Sequence, residues 1–293
     1  MDLNEFAFLV RDKIGELLLT YDVYDIVVTD VFKNNGVKYK GIVISIKGRD
    51  AAPTIYMDYY YRLYKQGKQF DEILKAVYEN YVYSLDRLEL TEKEAGNLCN
   101  YKNNLFIKLV NYEKNKNRLV ECPFIPFKDL AVTFRYLVHK DDKDVSSAMV
   151  NNSLMDMWGI DTKTIYKTAY ENTKRLFPPV IRKLSDILME KSTKEIFIPD
   201  NNIYVLTNNC GVNGAAYIIY KELLEDFYER NEKGFYIIPS SVHELIIIPE
   251  DMECDRELLK KYVKEVNEFS VAKVDYLSDN VYYFNKTEGI ITI

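Results

Sequence analysis

The stretch IYVLTNNCGVNGAAYIIYKELLEDFYERNEKGFYIIPSSVHELIIIP, residues 203 to 249, decides the reading of the fold. IYVLTN is rich in β-formers, a turn of asparagines and glycines follows, and GAAYIIYKELLEDFYERN then carries apolar residues at helical spacing. FYIIP and ELIIIP are short apolar runs bounded by turn residues, the pattern of buried strands. Further on, DRELLKKYVKEVNEF reads as a helix and NVYYF as a closing strand. The order over 203–284 is β-α-β-β-α-β, the split-βαβ pattern of ferredoxin-like folds, in which two helices cover one face of an antiparallel sheet. The expected fold class is therefore α+β, with a ferredoxin-like domain over residues 199–293.

Upstream, the polar run STKEIFIPDNN marks the expected boundary, so 1–198 reads as a mixed α+β domain with two hairpins and several helices. Leu3, Phe6, Leu9, Val10, Ile14, Leu17 and Leu18 recur at helical spacing and predict an opening amphipathic helix over 3–19. Two β-rich runs flank Asn34-Asn35-Gly36, and Asn-Gly supplies the positive φ that a short hairpin turn needs. A second hairpin is expected in FKDLAVTFRYLVHKDDKDVSSAMVNN, turning at KDDKD, with His139 a solvated residue at the strand end. A helix ends at Gly159, another starts behind Asp161 as N-cap and stops before Pro178-Pro179, and VIRKLSDILMEK reads as a third. Trp158 is placed at a helix junction as an anchor.

Bulk composition narrows the function classes. A chain of 293 residues with 47% apolar side chains can bury a sizeable core and accommodates two domains. Its 39 basic residues are outnumbered by 45 acidic ones, so no cationic surplus exists to neutralise a phosphate backbone, and nucleic-acid binding is disfavoured. The tyrosine-rich stretches APTIYMDYYYRLYKQG and FDEILKAVYENYVYSL invite base stacking, but few arginines interleave and packing at the core edge is the stronger reading. Cys99, Cys122, Cys210 and Cys254 never form C-x-x-C and are expected to be reduced and mostly buried. MDLNEFAFLV lacks the positive charge of a signal peptide and no run reaches a membrane span, so a cytoplasmic protein is expected.

Chemistry has two candidate locations. PSSVHE gathers Ser240, Ser241, His243 and Glu244, the residue types of a serine nucleophile, its base and a carboxylate that orients it. Adjacent strand residues point to opposite faces, which makes a His243–Glu244 pair awkward, and no G-x-S-x-G elbow occurs. A hydroxyl-stabilised turn is therefore the stronger reading. LTNNCGVNG offers Thr207, Asn208, Asn213 and Gly214 at a strand-to-helix turn where backbone amides attract anions, although the Walker and dinucleotide patterns are both incomplete. If both loops fall at one end of the sheet, they would line a single ligand cleft. No metal site and no cofactor are expected, because two distant histidines and no carboxylate cluster of calcium spacing leave neither a ligand set.

Taken in order, NNGVKYKGIVI, PTIYMDYYYRLYKQG, NYEKNK, WGIDTKTIYKTAYENT, YVLTNNCGVNGAA, IIPSSVHELIIIP and LSDNVYYF resemble an uncharacterised family of clostridial gut bacteria, catalogued as domain of unknown function fifty-six eighty-eight. The resemblance spans nearly the whole chain. It implies a bacterial cytosolic setting and transfers no activity, substrate or catalytic residue.

The expected function is binding of a protein partner without catalysis, for example as an accessory or inhibitor protein of a mobile element or phage–host conflict. The rival is a hydrolase or transferase using Ser241, His243 and Glu244, with Asn208 or Asn213 as donors to an oxyanion or phosphate. Nucleic acid ranks last among partners, and self-association stays open.

Overall fold

Helix α1 (Leu3–Leu17) follows from its periodicity, since Phe6, Val10 and Ile14 recur at helical spacing and are buried. A capping box starts it, with Asp2 accepting from the Glu5 N–H and Glu5 accepting from the Asp2 N–H. The computed structural model describes residues 1–18, 21–48, 52–95, 101–141, 145–191, 202–250 and 255–293. The chain divides into two units, Met1–Cys99 and Asn100–Ile293.

In the first unit, β1 (Val23–Phe32) and β2 (Lys38–Ile46) form the expected hairpin, Phe32 opposite Lys38. At its turn Asn35 and Gly36 take φ of 59° and 67°, the left-handed region that Asn and Gly enter most readily. β3 (Thr54–Tyr56) pairs with β2, and α2 (Met57–Lys65) and α3 (Phe70–Ala95) complete the unit. Every fourth residue of α3 from Ile73 to Leu85 joins Phe6, Ile42 and Ile44 in one core. The tyrosines divide by position: Tyr60 and Tyr81 are buried, Tyr61 and Tyr64 pack 5.5 and 5.4 Å from the Phe6 ring, and Tyr59 and Tyr83 are exposed.

The second unit begins with α4 (Tyr101–Asn104), β4 (Leu105–Asn111), α5 (Tyr112–Leu119), β5 (Phe124–Phe127), β6 (Leu130–Lys140) and β7 (Val145–Met149). β6 is central, with β4 along one edge and β5 and β7 end to end along the other. β6 and β7 are the expected second hairpin, and His139 lies at the strand end with Nε2 2.9 Å from Asp141. Helix α6 (Asn152–Trp158) ends at Gly159 with φ 63°, and Asp161 caps α7 (Thr162–Leu176) by accepting from the Thr164 N–H at 2.8 Å. The third helix expected over VIRKLSDILMEK is instead a strand, β8 (Pro179–Lys183), followed by α8 (Leu184–Lys191). Proline forces the extended start, and pairing of Val180 and Ile181 with the next strand holds the rest.

Then come β9 (Tyr204–Asn208), a 3₁₀ turn over Gly214–Ile219, α9 (Lys221–Asn231), β10 (Phe235–Ile238), β11 (Leu245–Pro249), α10 (Arg256–Phe269), β12 (Tyr282–Asn285) and β13 (Gly289–Thr292). They build a six-stranded sheet in the order β13-β12-β10-β11-β9-β8, antiparallel throughout. The split is real in its first half, since β11 lies between β9 and β10. The ferredoxin-like expectation is corrected in two respects. Its closing strand belongs beside the first strand, but β8 already occupies that edge of β9, so β12 pairs with β10. Its two helices belong on one face, whereas here they lie on opposite faces. Leu224 and Phe227 of α9 pack with Phe235 and Ile237, and Leu259 and Val263 of α10 with Tyr236 and Ile238. Coverage on both faces explains why FYIIP and ELIIIP are apolar without alternation.

The polar stretch 192–202 read as a boundary lies, except for Asn202, outside the described residues, and position 198/199 falls within the second unit. There β8 pairs with β9 across it, and one core runs from Ile107 and Phe134 to Leu206, Ile237 and Phe284. Among the described residues no helix is long and apolar enough to cross a membrane.

Candidate functional site

The two loops singled out in sequence are joined directly. Thr207, at the end of β9, donates its hydroxyl to the His243 carbonyl at 2.7 Å, and the Gly214 N–H donates to the same carbonyl at 3.0 Å. The Ala215 N–H donates to the Val242 carbonyl at 3.3 Å. Gly214 is required by this approach: a Cβ there would lie 2.5 Å from both His243 O and Thr207 Oγ1. The loops pack against each other at Gly214 and leave no space for a ligand between them at that point.

A third loop, between α10 and β12, completes the junction. Val242 donates its N–H to the Asp275 carbonyl at 2.8 Å, Ser278 donates its N–H to the Pro239 carbonyl at 3.2 Å, and Ser241 forms a β-bridge with Tyr276. The same loop is tied to the other sheet of the unit. Asn111 donates its side-chain amide to the Leu277 carbonyl at 2.9 Å, Ser278 donates to Asp129 at 2.5 Å, and Tyr282 also donates to Asp129.

His243 stands where the three loops meet. Its Nδ1 accepts the Asn213 N–H at 3.3 Å, so the ring proton belongs on Nε2, and Nε2 lies 3.2 Å from Asp275 Oδ1. That arrangement decides the chemistry. A general base for serine needs an open imidazole lone pair aimed at the hydroxyl. Here the lone-pair nitrogen is taken by a backbone amide and the protonated one faces a carboxylate. Ser241 is buried, and its Oγ accepts the His243 N–H at 3.1 Å, a hydroxyl-stabilised turn. Ser240 and Glu244 are half-buried and are not partners of His243.

The carboxylate beside the imidazole is thus Asp275 and not Glu244. Sequence reasoning missed it because Asp275 lies on a separate loop whose return to the first two depends on the strand order, and no local spacing encodes that.

Asn208 serves its own loop. Its Oδ1 accepts from the Cys210 and Val212 N–H groups, and its Nδ2 donates to the Val212 carbonyl at 2.7 Å. Asn213 takes φ 58°, and its side-chain Oδ1 is buried with no hydrogen-bond partner among the described residues. Cys122 is buried and Cys210 half-buried, both as free thiols. Among the described residues, no group of three or more His, Cys, Asp or Glu side chains is placed to hold a metal ion.

Two antiparallel sheets around a shared core, with a histidine-centred junction where three loops converge, define the second unit of an α+β protein. The chain belongs to the Family of unknown function (DUF5688), whose model matches residues 3–286, in agreement with the resemblance carried by the sequence motifs. No curated protein and no solved structure matches it.

Proposed function

We propose that this protein works by binding another protein, without catalysis of its own. The observation that carries this reading is the outer face of α10. Leu258, Tyr262, Val266 and Phe269 are 45%, 54%, 50% and 82% exposed and recur at i, i+4, i+8 and i+11, so they form one apolar stripe beside the buried face of the same helix. Large apolar side chains held in line on a rigid helix suit a helix-in-groove or groove-on-helix contact. Lys261 and Glu265 border the stripe on its polar side and favour a partner with mixed charge at its rim. The committed ring nitrogens of His243 argue on the same side, because they withhold the base that a serine hydrolase needs.

The test is a photo-crosslinking amino acid at position 262 in the producing cell, with Val266→Ser and Phe269→Ser as the paired variant. A discrete heterologous adduct that disappears in the variant, while its thermal unfolding stays unchanged, supports the proposal. Absence of any adduct at 262, or an adduct formed only with a second copy of this chain, overturns it.

A further inference from the structure

Among the described residues β1 is an edge strand, with every ladder partner on β2. In β2 the Ile44 N–H goes to the Pro53 carbonyl at 3.4 Å and the Lys40 N–H to the Asp58 carboxylate at 2.8 Å, so the even-numbered residues of β2 turn away from β1. Its odd-numbered residues Tyr39, Gly41 and Val43 therefore bond to their register partners Val31, Thr29 and Val27. Ile26, Val28 and Asp30 are left with their N–H and C=O groups turned to the outer edge. From Asp25 to Phe32 the register is continuous, its one shift falling between Val23 and Asp25. This run holds no proline and no lysine, two residues that commonly blunt an edge, and Val27 and Phe32 are 43% and 63% exposed.

The two carboxylates of the run decide what fits this edge. An antiparallel strand bonds here only if its own outward-turned residues face Ile26, Val28 and Asp30. For a second copy related by a two-fold axis, even-numbered residues then face even-numbered ones, and odd face odd. Asp25 and Asp30 have opposite parity, so such a register never sets one against the other. With Val28 on the axis, Ile26 faces Asp30, Val27 faces Thr29 and Asp25 faces Val31 of the second copy. Asp30 is already paired with Lys38 and Lys40, so Ile26 does not meet a bare charge. The same parity puts the core-side residues Ile26 and Val28 of both copies on one face of the joined sheet. We propose that β1 is a dimerisation edge, at which a second copy of this chain pairs β1 with β1 antiparallel into one continuous sheet. The edge lies in the first unit and does not rest on the α10 stripe.

Sedimentation velocity of the full chain over a concentration series tests it. A reversible monomer–dimer equilibrium is expected. Val28→Pro removes an outward N–H that β2 does not use, once in each copy, and should raise the dissociation constant about tenfold or more. Val27→Lys places an ammonium at an exposed edge position and should weaken the dimer in the same direction. Because Val28 packs against the core and its replacement could disturb the hairpin, Val27→Lys is the deciding variant. A wild-type chain that stays monomeric up to about 100 μM, or a dimer whose dissociation constant is unchanged in Val27→Lys, overturns the proposal.

Discussion

The two units of this chain differ in how far apart in sequence their binding partners lie. In the first, β1 and β2 pair across one short loop, β3 follows on β2, and the core is assembled from helical repeats in α1 and α3. In the second, the decisive contacts are remote: β8 pairs with β9, β12 with β10, and Asn111 reaches Leu277. Both units are built from elements that periodicity reveals equally well. In the first the order of elements also reveals every strand pairing, because a short connection leaves a strand little choice of neighbour; in the second it reveals β6–β7 and β10–β11 but not β9 with β11 or β12 with β10.

Glycine substitution should break this comparison most sharply. Gly214→Ala drives a Cβ into the His243 carbonyl and, at 2.7 Å, toward Thr207 Cα, atoms of two backbones that cannot both yield. It is expected to cost about 3 kcal/mol in denaturant unfolding, the upper range for overpacking. Gly41→Ala, in the first unit, presses on the methyl groups of Thr54 and Val31, at 2.8 and 2.9 Å, while the nearest backbone atom, Thr29 O, lies at an ordinary 3.8 Å. Its expected cost is about 1 kcal/mol. Equal costs at the two sites would deny that the second unit depends more on remote backbone contacts.

Next in size is Asn111→Ala. This side chain caps α5 by accepting the Lys114 N–H at 2.9 Å and also satisfies the Leu277 carbonyl. Loss of both should cost about 2 kcal/mol, against about 1 kcal/mol for the purely local cap Asp2→Ala in the first unit. Chemical denaturation of the two variants gives the ratio directly.

A smaller effect of opposite sign is expected at Asn213. Asn213→Gly suits the positive φ and removes the orphaned Oδ1, so it should leave stability unchanged or raise it by up to about 1 kcal/mol. A clear loss of stability would show that the side chain has a partner in solution.

One set of titrating groups in each unit ties its stability to pH, at the acid end for a carboxylate of the first and at the alkaline end for tyrosines of the second, although neither unit is confined to one end. Lys38 and Lys40 hold the Asp30 carboxyl of the first hairpin below its usual range. A depressed carboxylate contributes stability above its unfolded pKa, about 3.9, and that contribution is lost as pH falls through the folded value. In the second unit, burial pushes the hydroxyls of Tyr217, Tyr220 and Tyr282 above the ordinary tyrosine range, and Asp129 adds to the rise at Tyr282. Unfolded tyrosines release their protons near pH 10, so stability there should fall as pH rises beyond that point. Thermal unfolding across the pH range, read by tyrosine absorbance and by amide exchange of the first hairpin, checks both directions.

What was legible in the sequence follows the same division. The Asn-Asn-Gly hairpin, the caps at Asp161 and Gly159 and the strands on either side of PSSVHE were readable, since each is fixed by a few neighbouring residues. The helical reading of VIRKLSDILMEK failed because edge pairing with β9 outweighed local propensity in its first residues. The ferredoxin-like order failed for the same reason, since the edge that the closing strand would have used was filled from outside the segment considered. At the candidate site, the strand order in the sequence is enough to suggest that the loops of Thr207 and His243 share one end of the sheet, where they meet. Their direct contact and the arrival of Asp275 depended on tertiary packing alone. The apolar stripe of α10 was present in the sequence, but nothing local distinguished its exposed apolar face from the buried one beside it.

The central claim is that His243 is a structural junction and not a base, and its tautomer tests this most directly. Long-range ¹H–¹⁵N correlation spectra of the labelled protein report which imidazole nitrogen carries the proton. The geometry predicts that the proton sits on Nε2, with Nδ1 an acceptor from the Asn213 amide. A proton on Nδ1, with Nε2 open, would contradict it and restore a base beside Ser240 and Ser241.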